Sequence, residues 1–313
     1  MNLERLRSLH ALAVHGSVHE AARSLHVTTS AVSQQITKLE REVNHTLIVR
    51  NGRGVRLTDA ALLLVERTAS VLSMMESAEG DLDELRDSIF GSIVVSGFPT
   101  AVRGLCPMLV SHLREQCPQL TVTCREHEPV DSLPLLLHGD IDVVVAQGWF
   151  NRPLALPVGL STEFLFDDVA DIAMPSDHRL AGCPIVDLDD LAADDWITWP
   201  DNAICNEWLL YTLRSRGHEP RIAHTAGEHA TQLAFVAAGL GVAVMPRLGR
   251  DSVPEGVTIV EVAPQLHREV FAVWRTDAAR RTAIQAVVGG LGEVSSKQRT
   301  RKEGISTIGM ENA

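Results

Sequence analysis

The stretch from Thr29 to Lys38 sets four short hydroxyls (Thr29, Ser30, Ser33, Thr37), one amide (Gln34) and one amine (Lys38) on a common helical face. The opposite face carries Val32, Ile36, Leu39 and Val43 at i, i+4, i+7 and i+11, a single apolar stripe. A solvated face is ordinarily rich in Glu and Lys, and this one holds no acid. Such a face suits a duplex major groove, where Gln34 can pair with adenine through both ends of its amide. Hydroxyls there can meet base edges or phosphates. Downstream, Leu47–Leu57 reads as two short strands about Asn51-Gly52, a strong hairpin signal, with Arg50, Arg53 and Arg56 spread along it. As a wing, that hairpin would bring arginine to a minor groove.

A second constellation suits a small anion. Thr100 precedes a helix whose first amides, on Ala101 and Val102, are expected to be free, and a hydroxyl beside free amides is an anion site. Thr198 ends a strand in a later series and is expected to face Thr100 across a cleft. Trp149 and Trp199 follow strand ends in opposite lobes, and Gln147, Asn202 and His229 fall near the same edge. An organic anion or an amino acid is the expected ligand.

Other chemistries find little support. Five cysteines form no CxxC pair and are odd in number, so neither a disulfide framework nor a zinc knuckle is expected. His15 and His19 are split by Gly16-Ser17, so no metal is expected, nor any cofactor. Redox sensing through Cys183 and Cys205 is kept as an alternative. An enzyme is a remote one, since G-x-S-x-G, HExxH, a Walker loop and a GxGxxG after a strand are all missing.

The elements that must position these groups follow from periodicity. Leu3, Leu6, Leu9, Leu12 and Ala13 form a first helix ended by Gly16. Ser17-Val18-His19-Glu20 predicts a capping box opening a second helix through Ala21, Ala22 and Leu25, and Thr28 is the expected N-cap of the third. From Thr58 to Arg86 there is no Pro. Leu62, Val65, Ala69, Leu72, Met75, Ala78, Leu82 and Leu85 keep a near-heptad spacing, which predicts pairing with a second copy. Beyond lie alternating strands and helices in two series, which predict a mostly parallel sheet in two lobes. Crossings between lobes are expected near 158–162 and 263–268.

Net charge is −12, yet residues 1–60 hold eight Arg/Lys against five Asp/Glu, leaving 20 against 35 for the remainder. A basic head on an acidic body can touch phosphate at one end only. No apolar run reaches membrane-spanning length and the first residues lack a signal peptide, so a cytoplasmic protein with no membrane partner is expected.

Gly16-Ser17, Ala21-Ala22, Leu25, Ala31-Val32-Ser33, Ile36, Leu39-Glu40 and Arg50-x-x-Arg53-x-x-x-Leu57-Thr58 together resemble the LysR-type transcriptional regulators. Asn44-His45 departs from that family's usual Gly and small residue. Phe98-Pro-Thr100, Leu137-x-Gly139-x-Ile141-Asp142 and Val236 to Pro246 extend the resemblance to about residue 292. It implies DNA reading by Thr28–Lys38 with Arg50 and Arg53 on the wing, and a periplasmic-binding-protein-like (type 2) effector domain. It also implies pairing through the linker helix and, often, tetramers. The expected organisation is an all-α winged helix-turn-helix (1–58), a linker and dimerisation helix (59–88), and a two-lobed α/β effector domain (89–292). Lobe one spans about 89–160 and 266–292 and lobe two about 161–265, with a loose tail at 293–313.

Overall fold

The computed structural model describes residues 1–25, 27–51, 54–83, 88–201, 203–250 and 252–308. Side chains are described for all of these except 50, 51, 54, 69, 70, 73, 76, 77, 79–81, 83 and 297–308. Arg53, Asn202 and Leu85 therefore lie outside the described residues, as do the side chains of Arg50 and Ala69. The chain divides into two compact units: Met1–Asp87 with the short segments Leu137–Asp140 and Asp277–Thr282, and the remainder from Ser88 onward.

In the first unit, α1 (Leu3–His15) closes on Gly16 at φ 68°, a left-handed position that glycine adopts freely. Helix α2 (Val18–Ser24) starts where Ser17 Oγ accepts the Glu20 amide at 3.2 Å. Among the described residues the reciprocal half of the expected capping box is not made, and the Glu20 carboxylate accepts from Arg23 at 3.0 Å. Thr28 caps α3 (Thr29–Val43) by accepting the Ala31 amide at 3.2 Å. That helix ends on Asn44 at φ 53°, so the residue that departs from the family pattern is one that tolerates the left-handed turn. Strands β1 (Ile48–Asn51) and β2 (Gly54–Leu57) pair antiparallel, and α4 (Asp59–Asp83) follows.

Val32, Ile36 and Leu39 are fully buried, as the stripe predicts, in two small clusters built with α1, α2 and the hairpin. The start of α4 joins the second cluster through Ala61, Leu64 and Val65. Val65 thus packs inside the head, although its spacing placed it in the pairing seam. Farther along, Met74 (65% exposed), Met75 and Leu82 stand open.

The second unit comprises β3 (Phe90–Gly97), α5 (Pro99–Gln116), β4 (Gln119–Glu126), α6 (Pro129–His138), β5 (Val143–Trp149), β6 (Leu160–Pro175), β7 (Ile185–Val186), β8 (Asp195–Thr198), α7 (Ile204–Ser215), β9 (Arg221–Thr225), α8 (His229–Ala237), β10 (Ala243–Pro246), β11 (Val257–Val262), β12 (Leu266–Arg275) and α9 (Thr282–Ile308). The main sheet runs β4-β3-β5-β12-β6-β11-β7, with β10 also on β6 and a parallel β8–β9 pair apart. It is mixed rather than mostly parallel: β3 pairs in parallel with β4 and β5, whereas every partner of β6 and β12 is antiparallel.

Strand β6 carries the chain from one lobe to the other. Its first half pairs with β12, and its second half turns to β10 and β11. The outward crossing therefore falls near Asp168–Ala170 and not at 158–162, because β6 continues unbroken through the expected crossing point. The C-terminus differs too. Residues 293–308 continue α9 instead of forming a loose tail, with Val294 and Ser295 buried. Gly290 lets this helix approach α5, since a Cβ there would stand 3.0 Å from Leu109 Cδ1. Among the described residues no helix is long and apolar enough to cross a membrane.

Candidate functional site

On α3 the reading face is open. Thr28, Thr29, Ser30, Ser33, Gln34, Thr37 and Lys38 are all exposed, directly opposite the buried stripe. Ser33 and Thr37 donate their hydroxyl protons to the carbonyls four residues back, at 3.0 and 2.9 Å. Their lone pairs remain to accept from base amines, while Gln34 makes no side-chain hydrogen bond among the described residues and can use both ends of its amide. Arg56, paired with Val49 in the hairpin, is exposed as well.

In the α/β unit the centre of the cleft is occupied by an ion pair. Arg268 and Asp168, each 1% exposed, meet at 2.7 and 3.0 Å through Nη2 and Nε. Arg268 also donates to Gln147 Oε1 and, at 2.9 Å, to Thr100 Oγ1. The other Asp168 oxygen accepts the Leu248 amide at 2.8 Å. Phe98 and Trp149 flank the guanidinium, their ring centroids 4.9 and 5.8 Å from its carbon. A buried pair is tolerable only when its remaining lone pairs and protons are satisfied, and this one is bonded on every side.

Next to this network lies a cavity of about 220 Å³. That is larger than the ~150 Å³ apolar cavity known to admit benzene. Thr100 and Arg103 of α5 line it from one lobe, and His229, Leu233, Met245 and Arg250 from the other. His229 opens α8, is 6% exposed, and neither ring nitrogen has a hydrogen-bond partner. Burial drives its pKa down to about 3, helped by the positive charges of Arg268, Arg103 and Arg250, so the imidazole is neutral. Two unpaired buried nitrogens on a cavity-lining residue are costly unless a guest or water bonds them. Glu128, at the foot of α6, lines a second, larger cavity with Arg152, Glu207 and Tyr211. Burial pushes its pKa up to about 7 despite nearby Arg268.

The comparisons with known proteins bear on both units. Residues 3–62 match the family model for the bacterial regulatory helix-turn-helix protein of the lysR family, and residues 86–295 match the LysR substrate binding domain. The chain belongs to the LysR family of transcriptional regulators. Its relatives include the transcriptional activator IlvY of Salmonella typhimurium, 25% identical over 82% of this chain and 86% of that protein. The dual regulator OxyR of Escherichia coli is 28% identical over 91% and 93%. Among solved structures, a full-length OxyR variant from Pseudomonas aeruginosa superposes with a TM-score of 0.68 at 22% identity, covering 93% of this chain and 98% of that one. Full-length CbnR complexed with its target DNA gives 0.57 at 19% identity, over 94% and 100%.

Within this LysR regulator the expected effector residues separate into two groups. Thr100 and His229 reach the cavity. Gln147, Trp149, Thr198 and Trp199 gather nearby but are sealed, none more than 3% exposed. Trp149 stacks on Trp208 with centroids 3.7 Å apart, Trp199 and His229 meet edge to face with centroids 5.7 Å apart, and Thr198 donates to Asn206 at 3.2 Å. Thr100 does not precede the helix. It sits in the first turn, and the Ala101 and Val102 amides both donate to the Phe98 carbonyl, at 2.9 and 3.0 Å. The expected free-amide site is therefore absent.

Arg268, Asp168, Arg103 and Arg250 were not foreseen. Asp168 and Asp171 were the available signal, as acids inside an apolar strand must be paired, and both prove to be: Asp171 takes Arg247 and Arg250 at 2.6 and 2.7 Å. Cys205 is fully buried beside Gln147, and burial raises its thiol to about 11, the wrong direction for a reactive sulfur.

Proposed function

We propose that this LysR regulator reads promoter DNA through the exposed face of α3 and the arginine-bearing hairpin, and that a small organic anion lodged against His229 sets that binding. The observation that supports the effector reading is that His229, whose two ring nitrogens have no hydrogen-bond partner, lines this cavity. Arg103 and Arg250 on the same wall give the cavity its positive cast, and Leu233, Met245 and Leu248 supply an apolar seat. A carboxylate on a short apolar body meets all three demands, whether it is a simple organic acid or an amino acid.

For DNA, Gln34 with Ser30 and Ser33 would read bases, while Lys38, Arg50 and Arg53 would hold the backbone. The apolar residues left open along α4, Met74, Met75 and Leu82, support pairing of two copies through residues 59–88, as a dimer or within a tetramer. The protein would act on DNA in the cytoplasm, as regulators of its family do.

Two measurements test the reading together. Selection from a random duplex pool should enrich one sequence pattern, and small carboxylic acids should then be screened for a change in affinity for that sequence. A pool that yields no preferred sequence sinks the DNA assignment. A preferred sequence whose affinity no carboxylate alters sinks the effector assignment alone.

A further inference from the structure

Glu40 holds the whole passage from α3 into the hairpin. Its carbonyl accepts the Asn44 amide that ends the helix and, at 3.2 Å, the His45 amide. Its carboxylate reaches past that turn, and Oε1 accepts the amides of Leu47 at 2.8 Å and Ile48 at 3.2 Å. Four backbone donors between positions 44 and 48 thus end on one residue. Glu40 follows Val32 and Ile36 at four-residue spacing, so it closes the buried row of α3 with an acceptor while Gln34 looks out from another face.

Apolar packing already brings the hairpin to the head. Leu47 is buried with Leu9 and Leu39, and Ile48, Val55 and Leu57 pack on the cluster that holds Val32 and Ile36. Burial of this kind has no preferred direction, so it leaves the angle of the hairpin open. Two successive amides bonded to one oxygen do fix the direction in which β1 leaves the helix. A charged acceptor also makes such bonds about twice as strong as a neutral one. From the other strand, Thr58 Oγ1 donates to the Thr46 carbonyl at 2.8 Å, and the Thr58 amide donates to the Leu47 carbonyl at 3.0 Å. The base of β1 is therefore held from two sides, and the strands carry Arg50 and, opposite Val49, Arg56 away from it.

We propose that Glu40 is a positioning residue for DNA reading: it sets the angle between the reading helix and the wing, and so places the wing arginines at the minor groove when α3 lies in the adjoining major groove. The proposal rests on the DNA assignment made above. Two contacts from one rigid head reinforce each other only when both can be made at once, and the gain is lost when the geometry forbids it. Glu40 meets no base in this arrangement. It acts through the wing alone.

The test uses the full-length protein on the duplex that selection enriches. Hydroxyl-radical cleavage, which attacks from the minor groove, should show protected positions flanking the site read by α3. Glu40→Ala should keep the same base preference but lose that flanking protection, with affinity about tenfold weaker and a salt slope lower by about two counterions. Glu40→Gln keeps a neutral oxygen at the same reach, so it should restore the protection and bring affinity back to within about threefold. Adding Arg53→Ala to Glu40→Ala should cost little more, because the arginine is already out of reach, whereas a general loosening of the fold would make the two losses add. Should Glu40→Ala not fold, Glu40→Asp, which holds the charge one methylene short, takes its place. Flanking protection that survives in Glu40→Ala overturns the proposal, as do additive losses or a Glu40→Gln protein no better than Glu40→Ala. A pool without a preferred sequence, or a wild type without flanking protection, is instead the failure of the DNA assignment itself.

Discussion

Arg268 on β12 stands opposite Asp168 on β6 in the strand register, at the point where β6 changes partners from one lobe to the other. Both side chains are sealed from solvent, so each offsets the cost of burying the other's charge. Replacing one partner strands a buried ion. Arg268→Met or Asp168→Asn should each lower unfolding stability by about 3–5 kcal/mol, while Arg268→Met with Asp168→Leu should recover much of the loss. Denaturant melts of the four proteins check this. A double variant less stable than either single one would show that the pair is not coupled.

Gln34 and Lys38 sit one helical turn apart on the exposed face of α3, and they should fail differently. Gln34→Ala should cost on the order of 1–3 kcal/mol at one base position and relax the preference there. Lys38→Ala should weaken all sequences alike and reduce the salt slope by about one counterion. Binding isotherms at several salt concentrations, on the selected site and on single-base variants of it, separate the two effects. An unchanged base preference in Gln34→Ala would take that residue off the groove.

Much of this head was legible because local chemistry decides it. The α3 stripe, the Ser17 and Thr28 caps and the pairing of β1 with β2 each depend on residues a few positions apart. The cleft was not, because its decisive contacts span long separations: Arg268 to Thr100 bridges 168 residues and Arg268 to Asp168 bridges 100. Thr100 lines the cavity, but its partner is Arg268 and not the free amides expected, since Pro99 begins the helix one residue earlier than the hydroxyl suggests. Likewise Cys205 stood out in sequence next to Cys183, and only packing shows it sealed.

Along α4, Leu72 and Met75 fall in the proposed pairing stripe, and Met75 is exposed in the single chain. Met75→Asp would put a charge into a seam between two copies, which costs several kcal/mol unless the helices part. Sedimentation should then show a smaller species that binds the selected duplex weakly. An unchanged particle would mean that copies associate elsewhere.

Glu128 gives a pH dependence of definite sign. Its folded pKa of about 7 lies above the ordinary 4.5, so the folded state holds the proton more tightly than the unfolded chain. Its contribution is therefore complete below about pH 4.5 and is lost as pH rises through 7, by an order of 2–3 kcal/mol. Glu128→Gln keeps the neutral shape and should match the wild type at pH 4.5 while exceeding it at pH 8. Urea melts at the two values test this. A variant less stable than wild type at pH 8 would show that the ionised carboxylate is the stabilising form.

His229 titrates with the opposite sign and ties stability to the effector. Its folded pKa of about 3 lies below the ordinary 6.5, so the unfolded chain binds the extra proton first. Stability from the neutral ring is complete above pH 6.5 and erodes as pH falls, by about 2 kcal/mol at pH 5 on the basis of 1.4 kcal/mol per unit. His229→Phe fills the same space without titrating, and its acid limb should be correspondingly flatter. A carboxylate against the ring reverses the electrostatics, because a nearby anion favours the charged imidazole and raises its pKa. Effector binding should then take up a proton and tighten as pH falls from 7 to 5. Calorimetry in two buffers of different ionisation enthalpy counts that proton. His229→Phe should lose both the uptake and at least tenfold in affinity, whereas Trp199, whose ring centroid lies 5.7 Å from that of His229, should report occupancy of the wild-type cavity by fluorescence. Equal carboxylate affinity in wild type and His229→Phe would remove the ring from the site.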